Sequence, residues 1–331
     1  MKILICNYAS VFGGQEIFLK SFCDLLKANI SECDISFVGS PEELHNRIKC
    51  KKFKNDEVYD IVLLNGISAA RVHLFDLLKL RKTKFYYIHH SDLLDRQAGT
   101  LRVIPRLFAV FFICLFCQKV FFISERNKWF FSLFSWSALF PLNYFPCFSN
   151  NDKKLRYSAR RFDKIKLLFV GSFTENKRWK TCVDISKYTG MPIKLFGDGR
   201  LAENNFDENV TFKGFCNDHF QIYRPGSVLL CLSRYEGLPL VVLEALKAGV
   251  PVICTDVGDI KRVLKHGRNG FIVQNHTQSF KIVDEVARYL ILLQEDTELY
   301  DCMSMNAYES VNNVTAPKQD EFKQFLFGVQ K

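Results

Sequence analysis

The chain has 331 residues, 48% of them hydrophobic and 24% charged, and a formal net charge of +10. At about 150 residues per domain this predicts two globular domains and excludes an extended disordered chain. The basic balance suits an anionic membrane surface or a phosphate-bearing substrate; with no RNA-recognition, helix-turn-helix or zinc-finger pattern beside it, nucleic acid is not an expected partner.

In chain order, MKILICN reads as a first strand. Its apolar run is too short for a signal peptide, so a cytoplasmic protein is expected. Further apolar runs stand at 35–38, 61–64, 85–88, 120–123, 167–170, 193–196, 228–231 and 252–254. Most are apolar throughout and alternate with helical patterns, which predicts parallel strands buried on both faces and an α/β fold. After the first run, NYASVFGGQE carries Gly13 and Gly14, where the backbone can approach a ligand closely or simply turn. FYYIHHSD ends a later run with His89 and His90. The stretch 107–117 (LFAVFFICLFC) is apolar but too short to span a bilayer, which needs about 20 residues. It reads either as a core helix or as a helix resting on a membrane surface.

Cysteine is frequent, 12 in all. Several lie inside strand-like runs and are expected to be reduced and buried. Cys114 and Cys117 form a CxxC pair on an apolar helix without a second pair, so no metal site is expected. The polar, basic stretch 149–166 reads as a linker. It divides the chain into an N-terminal domain, 1–148, a C-terminal domain, 149–315, and a C-terminal segment, 316–331.

In the second half, SVLLCLS is a strand ending at Ser233 and RYEG a tight loop. Pro239 suits the first helical position, LVVLEALKA is a helix, Gly249 closes it, and VPVICT is the next strand. The N–H groups of Leu240 and Val241 at that helix start form a natural phosphate site. Glu244 is a carboxylate in a helix apolar nearly all round, so it needs a partner, a ligand hydroxyl or a structural donor. Gly197, Gly199 and Ala202 fit a dinucleotide-type glycine pattern, but polar sequence follows where a helix should, which argues against an NAD site.

Glu236 and Glu244 are separated by seven residues within SRYEGLPLVVLEALKAGVP. With Ser233, Gly237, Pro239, Gly249, Pro251 and Gly270, this segment resembles the retaining GT-B glycosyltransferases of family 4, glycosyl transferases group 1. The likeness runs from Leu167 to Val273. It implies two facing Rossmann-like domains with parallel sheets and a cleft between them, and a last segment that crosses back to the N-terminal domain. The implied reaction transfers a hexose-type sugar, with retention, from a nucleoside diphosphate (UDP ahead of GDP) to a saccharide or lipid-linked saccharide. Surface-polysaccharide or lipopolysaccharide assembly at the inner face of the membrane would be the setting. Neither cofactor nor metal is implied.

By the same resemblance, Glu236, His89 and Lys177 would be catalytic, with His90 the alternative to His89. Gly13, Gly14, Gly171, Ser172, Arg178, Gly197, Ser233, Gly237, Leu238, Leu240, Val241 and Glu244 would bind the nucleotide sugar, Glu244 through its ribose. Ser124 and Glu125 would face the cleft. Ser172 stands where the family has Arg, and Arg262 where it has Glu; Arg178 or Lys180 could supply the missing charge. An inactive sugar-nucleotide binder, a sugar-nucleotide epimerase and a phosphorylase-type enzyme remain as alternatives.

Overall fold

A computed structural model describes residues 1–8, 14–29, 32–39, 50–54, 57–72, 83–90, 100–122, 127–133, 138–141, 164–197, 208–216 and 218–312. These fall into two compact units, one within Met1–Phe148 and one within Ser149–Ala316. The segment 316–331 lies outside the described residues, as do Gly13, Ser124, Glu125, Gly199 and Ala202.

The first unit contains β1 (Lys2–Asn7), α1 (Gly14–Asn29), β2 (Asp34–Val38), β3 (Lys51–Lys52), β4 (Ile61–Asn65) and α2 (Gly66–Val72). It continues with β5 (Lys84–His89), α3 (Thr100–Phe116), β6 (Lys119–Phe122), α4 (Lys128–Phe131) and β7 (Ala138–Pro141). Its seven strands form one sheet in the order β3-β2-β1-β4-β5-β6-β7, every pairing parallel. The central strand β4 is buried along its whole length, as the unbroken run IVLLN demands. On one face, Leu64, Tyr87, Val110, Ile113, Cys114 and Phe131 join a single core.

The second unit runs β8 (Lys166–Val170), α5 (Trp179–Thr189), β9 (Ile193–Phe196), β10 (Val210–Gly214), α6 (His219–Ile222) and β11 (Ser227–Cys231). It ends with α7 (Leu240–Lys247), β12 (Val252–Thr255), β13 (Gly270–Val273), α8 (Ser279–Glu295) and α9 (Thr297–Asn312). Its sheet has six strands in the order β10-β9-β8-β11-β12-β13, again all parallel. Leu167, Phe169, Val228 and Leu230 pack with Cys182 and Ile185 of α5 and Val286 and Leu290 of α8. Each large aliphatic side chain buried in this way contributes roughly 1.5–3 kcal/mol.

Both sheets reverse their chain order once, between β1 and β4 and between β8 and β11. Loops leaving the carboxyl ends of such strand pairs diverge to opposite sides and leave a crevice, where open α/β sheets bind ligands. Four strands escaped the sequence reading. Strand β3 is two exposed residues, β10 is mostly exposed and β-bulged, β7 ends on Pro141, and β13 starts on a glycine. Pro239 caps α7 as its N-cap, φ −65° and ψ 117°, and the helix proper starts at Leu240, one residue later than expected. Gly249 follows the C-cap Ala248 at φ +70°, the left-handed position that glycine tolerates best.

Candidate functional site

The switch point of the second sheet carries a dense group of the expected residues. Lys177 lies in the loop after β8 and Glu236 in the loop after β11. Their side chains meet in a salt bridge, Lys177 Nζ to Glu236 Oε1. Burial pulls the Lys177 pKa down, but the Glu236 carboxylate outweighs this and holds it above the ordinary lysine value. Lys177 is thus charged at neutral pH, and the pair stands on the loops that leave the β8/β11 switch point.

Backbone geometry brings the loops this close. The Lys177 stem lies over Gly171, whose added Cβ would fall 3.8 Å from its Cδ and Cε. Gly171 has φ +150° and Gly197 φ +156°. A Cβ on Gly197 would come within 1.8 Å of the Gly171 carbonyl oxygen. The ends of β8 and β9 therefore pass this closely only because Gly197 has no Cβ, and Gly171 N donates to Phe196 O at 2.9 Å. Ser172 is half-buried in the same turn, where its carbonyl accepts from Thr174 N at 2.8 Å.

The RYEG loop is clamped from two sides. Asn176 donates from Nδ2 to Tyr235 O at 3.2 Å and accepts from Tyr235 N at 3.2 Å. Its own carbonyl accepts from Arg234 N at 2.8 Å. From the other side Gly258, φ +48°, presses on the loop: a Cβ there would lie 1.9 Å from Gly237 O and 2.4 Å from Glu236 O. Asp259 N then donates to Gly237 O at 2.8 Å. Neither Asn176 nor Gly258 stood among the expected site residues, although Gly258 belongs to the VGD that follows β12.

Arg178 takes a different place from the charge-supplying one expected of it. It is buried, at φ 48° in the left-handed region. Its Nη1 donates to Leu232 O at 3.1 Å and to Asn275 Oδ1 at 2.7 Å, and its Nη2 to His276 O at 2.8 Å. The guanidinium ties the end of β11 to the turn after β13. Burial, with Arg234 nearby, lowers its pKa to about 10, so it remains charged at neutral pH. Arg262, in the short 3-10 turn Ile260–Arg262, stands 3.9 Å from the Asp259 carboxylate.

Helix α7 supplies the rest. Leu240 and Val241 open it, and the first bond back from the helix is Val242 N to Pro239 O at 3.1 Å, so their N–H groups belong to the uncapped first turn. Leu238 and Ser233 are buried just before it. The Ser233 carbonyl accepts from Thr255 Oγ1 at 2.6 Å. Glu244 is 7% exposed and accepts from the Tyr223 hydroxyl at 2.8 Å on Oε2. Tyr223 is thus one protein partner of this buried carboxylate, and sequence spacing gave no sign of it.

The first unit has a polar chain of its own. Asn7 ends β1 and Asn65 ends β4, both buried, and Asn65 Nδ2 donates to Asn7 Oδ1 at 3.1 Å across the switch point. His90 Nε2 lies 2.6 Å from Asn65 Oδ1, with Phe18 of α1 edge-on to its ring. Burial lowers the His90 pKa to about 3, which keeps it neutral. His89, the preferred histidine of the sequence reading, points to the other face. It is 1% exposed, its Nδ1 is 2.8 Å from the Tyr87 hydroxyl, and its ring packs on Phe131. Of the two histidines, the structure joins His90 to the polar chain and His89 to the core. Gly14 opens α1. Among the described residues no cluster of three or more His, Cys, Asp or Glu could hold a metal ion.

Residues 164–291 match the model of the family described as glycosyl transferases group 1. The chain is 31% identical over 170 residues to the N-acetyl-alpha-D-glucosaminyl L-malate synthase of Bacillus anthracis, covering 48% of this chain and 43% of that protein. It is 31% identical over 150 residues to the O-antigen biosynthesis glycosyltransferase WbnH of Escherichia coli, covering 42% of this chain and 41% of that one. The chain thus spans about half the length of the curated relatives it matches. In fold it is similar to Anabaena Alr3699/HepE, solved in complex with UDP-glucose, with a TM-score of 0.77 and 17% identity over 99% of this chain and 100% of that one. The fold is α/β, with two Rossmann-like units of the GT-B class.

Proposed function

We propose, given that the C-terminal unit is a domain of the glycosyl transferases group 1, that the chain is a retaining glycosyltransferase using a UDP-sugar. It moves a hexose-type sugar to a saccharide or lipid-linked saccharide in surface-polysaccharide assembly, working at the inner face of a membrane. The carrying observation is the Lys177–Glu236 salt bridge at the β8/β11 switch point, one loop away from the first turn of α7. Lys177 and the N–H groups of Leu240 and Val241 would meet the diphosphate, Glu244 the ribose, and Glu236 the sugar or its phosphate. His90 is the better candidate than His89 for the sugar end of the first unit. The bond from the anomeric carbon to the β-phosphate oxygen breaks with its electron pair going to the diphosphate. The acceptor oxygen bonds to that carbon from the same face and passes its proton to the leaving phosphate. No metal is required by this scheme. UDP-bound Alr3699/HepE, of like fold, supports the choice of UDP.

The test is thermal unfolding against UDP, GDP, ADP and NAD. A ligand at about 100 times its Kd stabilises by about 2.7 kcal/mol, a shift of a few degrees. A shift with UDP that vanishes in Glu244→Ala is the expected result; a shift with NAD alone overturns the reading. The second reading, a nucleotide-sugar binder without turnover, draws on Arg178: with Ser172 where the family has Arg and the Arg178 guanidinium held by carbonyls, Lys177 is left to carry the charge. UDP binding without sugar transfer to any acceptor would favour that reading.

A further inference from the structure

The cysteines of the first unit are not alike. Burial pushes the Cys114 thiol up to about 12 and the Cys117 thiol well above its ordinary value, which leaves both unreactive. Cys50 differs. It directly precedes β3, whose Lys51 and Lys52 pair with Ser36 and Phe37 of β2, and it is half-buried. Behind it lies α1, with Phe22, Cys23 and Leu26 buried. Lys27 follows Cys23 by four residues, so the two share one side of the helix, and its side chain is exposed. Both reach the same sulfur: the Cys23 thiol hydrogen-bonds to Cys50, and Lys27 Nζ donates to Cys50 Sγ at 3.7 Å.

Two donors on one sulfur set its chemistry. The Cys23 hydrogen bond and then the Lys27 ammonium hold the Cys50 thiol below the ordinary cysteine value, against burial and the Asp24 carboxylate. Burial, with the same hydrogen bond, keeps Cys23 well above that value, so it stays protonated as the donor. Cys33, half-buried just before β2, stands within reach of the charges of Lys27 and Cys50. A solvent-reachable thiolate is the nucleophilic form of cysteine, and a neutral thiol against it can resolve what it forms. Cys231 and Cys254, partners across β11 and β12, make a second pair of neighbours, but both are buried, so neither offers solvent a sulfur to attack.

We propose that Cys50 and Cys23, with Lys27 beside them, form a peroxide-reactive dithiol site at the β2/β3 edge of the first unit. The Cys50 sulfur attacks one oxygen of hydrogen peroxide. The O–O bond breaks with its electron pair going to the departing hydroxide, which takes up a proton from solvent, and Cys50 becomes a sulfenic acid. The Cys23 sulfur then attacks the Cys50 sulfur. The S–O bond breaks, and hydroxide leaves as water with the proton that Cys23 gives up. Two thiols are oxidised by two electrons to one disulfide, and one peroxide is reduced to two waters. The sulfurs start in hydrogen-bond contact, so closing to the bonded distance of about 2 Å is a local movement. The site is independent of the donor reading above.

The test has two readouts on the full, reduced chain, both by mass spectrometry of peptides. The first is alkylation by iodoacetamide at pH 7, with the exposed Cys302 as internal control. Cys50 should react at least about threefold faster than Cys302, and Lys27→Gln, a surface change that leaves the fold intact by circular dichroism, should remove most of that advantage. The second is peptide mapping without reductant after hydrogen peroxide. The wild type should yield a Cys23–Cys50 disulfide. Cys23→Ala should instead leave a Cys50 sulfenic acid that dimedone traps, and Cys50→Ser should give neither product. Three results overturn the proposal: Cys50 alkylated no faster than Cys302, peroxide treatment that leaves both thiols free, or a disulfide from Cys50 to Cys33 in place of Cys23. The Lys27→Gln and wild-type arms decide the matter even where a substitution at the buried Cys23 impairs folding.

Discussion

At the scale of single residues the two carboxylates of the E-x7-E motif meet different groups. Glu236 forms a salt bridge with Lys177, and Glu244, among its contacts, accepts from the Tyr223 hydroxyl. Glu236→Gln leaves the Lys177 ammonium without its counter-charge, and Lys177→Ala removes the charge proposed to meet the diphosphate. Each should lower kcat by about 100-fold or more in a sugar-transfer assay, and a wild-type kcat in Lys177→Ala would exclude the lysine from leaving-group stabilisation. Tyr223→Phe should cost about 1–2 kcal/mol by leaving a buried carboxylate oxygen short of a donor, read as a lower Tm and a higher donor KM. His90 adds a pH dependence. Its folded pKa, about 3, lies below the ordinary 6.5. In that window the unfolded chain binds the proton that the folded chain refuses, so stability is full above pH 6.5 and falls as pH drops toward 3. In His90→Asn the acid limb of a Tm-against-pH curve should flatten; an unchanged limb would mean that the ring is solvated after all.

At the scale of elements, the site depends on how closely loops pass one another. Gly258 fixes the RYEG loop from one side because only a residue without a Cβ can sit 1.9 Å, at the virtual Cβ, from Gly237 O. Gly258→Ala adds that atom at a left-handed φ, so the loop must move and Glu236 with it. UDP affinity should fall about tenfold or more with a folded protein by circular dichroism; unchanged affinity would show that the loop position does not matter. Asn176→Ala removes the opposite clamp and should produce a smaller effect of the same sign. These two residues show where sequence reading stops. The strands β1, β2, β4, β5, β6, β8, β9, β11 and β12 were legible because burial on both faces leaves an unbroken apolar run. Strands β3, β7, β10 and β13 were not: β3 and β10 are largely exposed, and proline or glycine bounds the short runs of β7 and β13. Glu236 and Lys177 were legible only through the resemblance to the glycosyl transferases group 1, and the α7 start from its proline and the helical pattern after it. Asn176, Gly258 and Tyr223 were not, because their contacts join segments far apart in the chain. The His89 and His90 assignment turned on strand alternation: successive side chains point to opposite faces, and only the sheet reveals which face is filled by Phe131.

At the scale of the whole molecule, both units repeat one device. Each parallel sheet has one switch point, and each switch point is bridged by a polar pair, Asn7 with Asn65 in the first unit and Lys177 with Glu236 in the second. The first pair is neutral and extends to a neutral histidine; the second is charged and adjoins a helix start. A diphosphate calls for cations and free N–H groups, whereas sugar hydroxyls are matched by amides and a neutral imidazole that both donate and accept. On the proposed reading, the chemistry of the two pairs would divide the substrates, donor diphosphate to the second unit and sugar hydroxyls to the first. The division predicts two different failures in the intact chain. Lys177→Ala should reduce the UDP-induced rise in Tm together with turnover. Asn65→Ser, checked for folding by circular dichroism, should leave the UDP-induced rise within a degree or so of wild type and still lose most sugar transfer, with the loss appearing in acceptor KM and kcat. If Asn65→Ser reduced the UDP shift as much as Lys177→Ala does, the nucleotide would depend on both switch points and the division of substrates by unit would be wrong.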